Sequence, residues 1–237
     1  MGARLTEITA GTFQLSVAMP EMEFAVNHYL VAGDEPFLFH AGMASHFEEN
    51  LEALRQVIAP EALKWIGFGH VEADECGALG QWLEVAPAAQ VVQGQVGCMV
   101  SVWDLAGRDP RPLADDEVLD IGGHRLRWLD TPHVPHGWDA GLLFDETTST
   151  LFCGDLFARF GDQSATTTGD LAGPAIAGER AEGYSSWSRG PGTVDQVRRL
   201  AALQPVTLAP MHAPVMSGAC GAELEALAGD LDQVLTA

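Results

Sequence analysis

Histidine and carboxylate side chains that can bind metal are concentrated in four short segments of this 237-residue sequence. The segments are GFGHVEADECG with His70, Glu72 and Asp74, DTPHVPHGWD with His133 and His136, FCGDLF with Asp155, and LAPMHAP with His212. Imidazole and carboxylate groups are ligands of zinc and iron. If the four segments meet, three imidazoles and three carboxylates would hold two cations that share one carboxylate. The cations would also remove the repulsion that raises the pKa of clustered carboxylates.

The first segment carries its three groups at alternate positions, directly after an apolar run that ends at Phe68. In an extended backbone, residues i, i+2 and i+4 point to one side, so His70, Glu72 and Asp74 are predicted to converge. Taken singly, each group has an ordinary explanation. A histidine near a strand end is commonly a hydrogen-bonded residue, and Asp74 would also serve as the N-cap of a following helix. The metal-site prediction therefore depends on the four segments together.

Each of the four segments follows a predicted strand, and ligands in sheet-based α/β folds gather beyond the carboxyl ends of strands. Apolar runs bounded by Gly, Pro or Asp predict the strands TFQLSVAM, FAVNHYLVAG, PFLFHAG, LKWIGF, VVQGQV, EVLDIGG, HRLRWLDTP and PVTLAP, and a hairpin in AGLLFDETTSTLFCGD. Apolar residues at helical spacing predict helices in SHFEENLEALRQVIAP, ECGALGQWLEVAP, DQVRRLAALQ and ELEALAGDLDQVLTA.

Strands and helices alternate loosely through both halves of the chain. This predicts an α/β fold in which two mixed sheets pack face to face with helices outside. We expect residues 1–237 to form a single domain, because sandwich-type folds often reach this length as one unit. Residues 158–190 are rich in Gly, Ser and Thr and match no element, which predicts an irregular functional or mobile loop.

Composition excludes several classes of partner. The formal net charge is −21, with 12 basic and 33 acidic residues, so nucleic acid and anionic membranes are poor partners. The sequence contains neither a long apolar run nor the features of a signal peptide, which predicts a cytoplasmic protein without membrane spans. The four cysteines form no C-x-x-C pair and are expected to be free buried thiols.

The order HVEAD, HVPH, CGDLF and APMHAP resembles the metallo-β-lactamase superfamily, whose typical pattern is H-x-H-x-D-H followed by His, Asp and His. Because Glu72 occupies the second position, the sequence is most similar to the diiron branch: the β-lactamase-like domain of flavodiiron proteins and related oxygen-binding diiron proteins. The resemblance implies the four-layer αββα sandwich of the metallo-β-lactamase type. It also implies two iron ions, with Asp155 as the bridging ligand.

The resemblance further implies how the other ligands divide. One iron would take His70, Glu72 and His133, and the other would take Asp74 and His212. The family pattern H-x-P favours His133 as the ligand. His136 and His28 are then candidates for supporting roles beside the metal.

Two departures from the family pattern leave alternatives open. Glu75 stands where flavodiiron proteins often have histidine, so it would either ligate the second iron or leave an open position for a diatomic ligand, and we favour the open position. No G-x-G-x-x-G follows a predicted strand, so either reducing power comes from a separate electron-donor protein or the protein does not turn over as a reductase. A homodimer is expected from the resemblance alone.

The function predicted from the sequence is a non-heme diiron protein that binds or reduces oxygen or nitric oxide, as an oxidoreductase or as an oxygen sensor. The alternative is a binuclear hydrolase with two zinc ions, acting on an ester, thioester or phosphodiester. Glu72 argues against the hydrolase because a harder, more anionic ligand set suits iron. The shortage of Lys and Arg for an anionic substrate also argues against it. A third interpretation is a binding protein with a degenerate site, which the six competent ligands disfavour.

Overall fold

Two seven-stranded mixed sheets form the centre of the computed structural model, which describes residues 2–161, 164–182, 187–188, 190 and 192–236. The first sheet has its strands in chain order: β1 (Arg4–Thr9), β2 (Thr12–Met19), β3 (Phe24–Val31), β4 (Phe37–Phe39), β5 (Trp65–Gly67), β6 (Gln90–Gly94) and β7 (Arg111–Leu113). Its first four strands are antiparallel, and β4 to β7 are parallel.

The second sheet is built from the other half of the chain. Its strands are β8 (Val118–Asp120), β9 (Arg125–Asp130), β10 (Gly141–Asp145), β11 (Thr150–Gly154), β12 (Thr166–Thr167), β13 (Thr207–Pro210) and β14 (Val215–Ser217). They lie in the order β12, β14, β13, β11, β10, β9, β8. The β11–β13 and β12–β14 pairs are parallel, and the other pairs are antiparallel.

The helices are α1 (Phe47–Leu54), α2 (Ala73–Cys76), α3 (Leu79–Val85), α4 (Gln95–Gly97), α5 (Trp103–Ala106), α6 (Ala172–Glu182), α7 (Thr193–Ala202) and α8 (Cys220–Thr236). A π-helical turn at Cys98–Val102 joins α4 to α5, and 3₁₀ turns lie at Pro20–Met22, Ala44–His46 and Pro60–Ala62. In the described part of the chain, no helix combines the length and apolar composition of a membrane-spanning segment.

The core is divided into three layers because strand side chains alternate between the two faces of a sheet. Leu30 and Leu38 pack with Phe47 and Trp82 of the helices outside the first sheet. Their strand neighbours, including Tyr29, belong to the core between the two sheets. A third cluster joins the second sheet to α6, α7 and α8. The predicted αββα arrangement is therefore confirmed.

The predicted strands and helices are found close to their expected positions, and the four cysteines are free and buried as expected. The prediction that residues 158–190 are irregular is wrong for the part that contains β12 and α6. Helix α6 contains two glycines and a proline, so its sequence has no helical apolar pattern. Glu223 of α8 instead accepts hydrogen bonds from the backbone N–H groups of Leu171 and Ala172 and thereby caps α6. Residues 162–163, 183–186 and 189 lie outside the described residues.

Candidate metal centre

The four sequence segments meet at one rim of the sandwich. His70 and Glu72 follow β5 of the first sheet, His136 lies in the loop between β9 and β10, Asp155 follows β11, and His212 follows β13. Both sheets therefore contribute ligand groups, each from the point where a strand ends.

Four side chains form a first group: His70, Glu72, His136 and Asp155. The Nε2 atoms of His70 and His136 lie 2.9 Å and 3.1 Å from Glu72 Oε2. The same nitrogens lie 3.6 Å and 3.3 Å from Asp155 Oδ2. The two imidazole rings are nearly perpendicular, with centroids 4.5 Å apart. Two nitrogens and two carboxylate oxygens thus surround one point, as in a site for a single cation.

Asp74, Asp155 and His212 form a second group. His212 Nε2 lies 3.1 Å from Asp74 Oδ2 and 3.1 Å from Asp155 Oδ1. The imidazole of His212 is fixed from behind, because its Nδ1 donates a hydrogen bond to the carbonyl of Ala25 at 2.9 Å. Phe24 stacks on the same ring with a centroid distance of 4.4 Å.

Asp155 joins the two groups. Its Oδ2 faces His70 and His136, whereas its Oδ1 faces His212. Gly154, which precedes it, has a φ of +53°, a backbone conformation that favours glycine and turns the chain where β11 ends. The side chain of Asp155 is only 7% exposed. Each of its oxygens is therefore directed at a different group, which is the geometry of a bridging carboxylate.

The structure places His136, not His133, in the first group. The predicted ligand His133 is exposed, with a φ of +65°, and its backbone N–H donates to the carbonyl of Gly137. This tight turn directs His133 outward and returns His136 toward Glu72 and Asp155. The sequence pattern H-x-x-H fits either histidine, so only the conformation of the turn distinguishes them.

Asp74 also differs from its predicted conformation. Glu72 is extended, with φ −142° and ψ 159°, but Asp74 lies in the first turn of α2. The helical turn directs Asp74 away from Glu72 and toward His212. The prediction that all three groups of HVEAD share one extended face is therefore wrong. The segment supplies ligand groups to both sides of Asp155.

The electrostatics of the centre fit bound cations. Burial would lower the pKa of His70, but Glu75, Glu72 and Asp155 outweigh burial and raise it to about 11. Burial is likewise outweighed for His212, where Asp155 and Asp74 raise the pKa to about 10. The raised pKa values of the two imidazoles follow from the carboxylates around them, which favour positive charge at this place. Metal ions would supply that charge and displace the protons.

Hydrogen bonding also fits a metal centre. Asp74 Oδ1 is buried without a hydrogen-bond partner among the described residues, although such atoms are normally paired. An oxygen with no donor near it is suited to binding a cation. Imidazole and carboxylate donors together suit zinc or iron.

Glu75 lies behind His70 and faces away from Asp74. The carboxylate is fully buried, and its Oε1 lies 2.8 Å from His70 Nδ1. Its Oε2 lies 3.1 Å from Nδ1 of His40, a residue that sequence reasoning did not identify. Burial would raise the pKa of Glu75, but His40 and His70 outweigh burial and hold the pKa well below its usual value. No metal-ligand spacing in the sequence links His40 to the centre, because the contact depends on the pairing of β4 with β5.

His28, the other predicted supporting residue, is buried on β3 and packs against Gly42. Neither of its ring nitrogens has a hydrogen-bond partner among the described residues. Burial lowers the pKa of His28 to about 3, so the imidazole is neutral at physiological pH. His28 makes no hydrogen bond to the predicted ligands, and its supporting role is not tested by these contacts.

A pocket of about 240 Å³ opens onto both groups. Glu72, Asp74, His136, Asp155 and His212 line its floor, and Phe24, Ala158, Arg159, Phe160, Gly178 and Glu179 complete its walls. The pocket admits a small molecule from solvent to the place where the ligand groups converge.

Comparisons with known proteins agree with this fold. Residues 24–175 match the model of a family described as "ODP family beta lactamase". The flavo-diiron protein FprA2 of Clostridium acetobutylicum is 26% identical over 137 residues, which are 56% of this chain and 34% of that protein. The fold matches rubredoxin oxygen:oxidoreductase of Desulfovibrio gigas with a TM-score of 0.80 at 17% identity, covering 97% of this chain and 62% of that chain.

A metal-soaked Flv1 flavodiiron core of Synechocystis sp. PCC6803 matches with a TM-score of 0.79 at 20% identity, covering 99% of this chain and 61% of that chain. The chain covers 36% and 25% of the length of the first two curated relatives it matches, both described as "putative diflavin flavoprotein". The match to the family model includes the segments with His70, Glu72, Asp74, His136 and Asp155. The chain belongs to the ODP family of β-lactamase-like domains.

Proposed function

We propose that this chain is a non-heme diiron protein that reduces oxygen, or nitric oxide, at the metal centre. His70, Glu72 and His136 would hold the first iron, Asp74 and His212 would hold the second, and Asp155 would serve both. When bound, a pair of iron ions supplies electrons and coordination positions to a diatomic ligand.

The observation that carries the proposal is the position of Asp155 between two ligand groups. One oxygen lies within 3.6 Å of two histidines of the first group, and the other lies 3.1 Å from the histidine of the second group. A carboxylate shared in this way serves two ions rather than one. Glu72 gives the first group a second carboxylate, which favours iron over zinc because harder anionic ligands suit iron.

The protein residues would position the ions and control access to them. His212 is fixed by Ala25 and Phe24, and His70 by Glu75. Phe24 and Phe160 give the pocket an apolar side that suits an uncharged diatomic molecule. Reduction of oxygen to water consumes more electrons than two ferrous ions release, so turnover requires a separate electron donor. We propose that residues 1–237 act as one metal-binding domain and that a homodimer is the functional form.

The proposal is tested by metal analysis and a single-turnover reaction. Protein purified from its native host should contain two iron ions per chain. After anaerobic reduction, it should consume oxygen and change its visible absorption. Asp155→Ala should abolish binding of both ions and with it the oxygen consumption. His212→Ala should lose one ion preferentially.

Two other outcomes would contradict the proposal. Protein that contains zinc and hydrolyses generic esters or phosphodiesters would be a binuclear hydrolase. Retention of two ions by Asp155→Ala would show that this carboxylate is not shared.

A further inference from the structure

We propose that Glu75 is a positioning residue, which holds the ligand His70 in the orientation that the first metal ion needs, and that Glu75 does not bind the second ion. This inference rests on the proposed function, because it assigns a role beside the same binuclear centre. It concerns a buried carboxylate that neither ligand group includes.

Glu75 contacts both the ring and the backbone of His70. Its Oε1 lies 2.8 Å from His70 Nδ1, and its Oε2 accepts a hydrogen bond from the His70 backbone N–H at 2.9 Å. The backbone N–H of Gly69 donates to the same Oε2, and His40 Nδ1 lies 3.1 Å from it. Three donors thus converge on Oε2 of one fully buried carboxylate, and the ring of His70 lies beside its other oxygen. Two of the three donors are the backbone N–H groups of a predicted metal ligand and of the residue before it.

These contacts determine which nitrogen of His70 is directed at the metal. A carboxylate beside Nδ1 favours the tautomer with hydrogen on Nδ1 and leaves the lone pair of Nε2 for an ion. Nε2 of His70 lies 2.9 Å from Glu72 and 3.6 Å from Asp155, on the side of the first group. Glu75 therefore fixes both the tautomer and the orientation of the ring.

The same geometry directs Glu75 away from the second group. Asp74 and Glu75 are neighbours in α2, but Asp74 reaches His212 while Glu75 points to His40 and His70. The side chain of Asp74 is 22% exposed at the pocket, whereas that of Glu75 is 0% exposed. Among the described residues, the second group consists of Asp74, Asp155 and His212. An ion bound there would retain coordination positions for water or for the diatomic ligand.

Cobalt titration of the metal-free protein tests this role without relying on activity. Co²⁺ is added to wild type and to Glu75→Gln, and both the affinity of each equivalent and the visible absorption spectrum are recorded. Glu75→Gln keeps the size of the side chain but lacks the charge and one acceptor. We expect the affinity for one of the two ions to fall by about 10- to 100-fold, the range for residues that support a ligand. The spectrum of that ion should change, and the other ion should bind as in wild type.

Asp145→Asn is a matched control. Asp145 is a fully buried carboxylate whose Oδ2 lies 2.7 Å from His124 Nδ1, and it also accepts hydrogen bonds from Thr147 and Thr148. It lies at the end of β10, whereas the centre is near Gly141, where β10 begins. Asp145→Asn should lower thermal stability but leave both cobalt affinities and the spectrum unchanged. If Glu75→Gln likewise lowers thermal stability but leaves the cobalt affinities and the spectrum unchanged, Glu75 has only a structural role, and the proposal is overturned.

Two further results separate the alternatives. If Glu75→Gln loses the same ion as His212→Ala, Glu75 would be a ligand of the second ion, and the inference would be overturned. If Glu75→Gln does not fold, Glu75→Asp is the second variant, because it keeps the charge but is one methylene shorter. Glu75→Asp should lower the affinity for the first ion. Unchanged affinities in Glu75→Asp would contradict the proposal. The number of ions bound by wild type reports separately on the binuclear centre, whereas the ratio of variant to wild-type affinity reports on Glu75.

Discussion

His133 and His136 are three residues apart in one loop, yet only His136 lies near the carboxylates of the first group. His136 Nε2 is 3.1 Å from Glu72 and 3.3 Å from Asp155, whereas His133 is exposed. The two histidines therefore provide a matched pair of substitutions in one loop.

We expect His136→Ala to lower the affinity for one of the two ions by at least about tenfold, because it removes a proposed ligand. His133→Ala should leave both affinities unchanged within error. Isothermal titration of the metal-free variants with Fe²⁺ under anaerobic conditions would measure this. A larger loss in His133→Ala than in His136→Ala would restore the assignment made from the family pattern.

His28 is expected to make the metal-free protein less stable as the pH falls. Burial lowers its pKa from 6.5 to about 3. Below the ordinary pKa, the unfolded chain takes up a proton that the folded protein does not, so the free energy of unfolding falls with decreasing pH. The slope contributed by this single group approaches about 1.4 kcal/mol per pH unit.

Denaturant unfolding of metal-free wild type and His28→Gln at about pH 7, 6 and 5 would measure this effect. The pKa values of His70 and His212 are raised to about 11 and about 10, so their stabilising contribution grows as the pH falls from these values toward the unfolded pKa and is nearly constant below it. That contribution is common to both proteins, and the difference between them isolates His28. Wild type should lose more stability than His28→Gln over this range. Equal losses would show that His28 is not held neutral by burial.

At the scale of elements, the strand ends are held together by close packing near the centre. The backbone N–H of Gly141, the first residue of β10, donates to the carbonyl of Gly69, which precedes His70. The indole of Trp128 on β9 lies across Gly141 and also contacts Gly94, where β6 ends. Glycine at position 141 therefore lets a large aromatic ring fill the space between the two sheets.

Gly141→Ala should destabilise the protein, because the added Cβ would lie 2.1 Å from Trp128 Cζ2. Overpacking of this kind costs about 1–3 kcal/mol of unfolding free energy. Gly80→Ala in α3 is the control, since its Cβ meets nothing within 4 Å and alanine favours a helix by up to about 1 kcal/mol. Chemical denaturation would measure the free energy of unfolding of both variants and of wild type. Equal values for Gly141→Ala and wild type would show that Trp128 moves aside without cost.

At the scale of the whole molecule, the candidate metal centre joins residues that follow strands of both sheets. His70 and Glu72 come from the first sheet, and His136, Asp155 and His212 come from the second. Ions bound between them would stabilise the folded chain, because a preformed set of ligands exists only when both sheets are in place. The acidic surface, with a net charge of −21, disfavours polyanionic partners.

The amino-acid sequence alone predicted the fold class and five of the six side chains that the structure brings together at the candidate centre. Strand and helix patterns depend on residues close together in the chain, so the apolar run before His70 and the helical spacing of Phe47 and Leu51 were readable locally. Asp155 was predicted as the bridging carboxylate because its order among the histidines resembles a family pattern. Local patterns also placed most of the strands that the two sheets contain.

Only the tertiary structure decided between His133 and His136, directed Asp74 to the opposite side of Asp155, and turned Glu75 toward His40. The formation of α6 likewise required a cap from Glu223, which is distant in sequence. In each case, the orientation of a side chain or the stability of a helix depends on contacts with residues far along the chain. Spacing in the sequence does not specify such contacts, because they exist only after the two sheets have packed together.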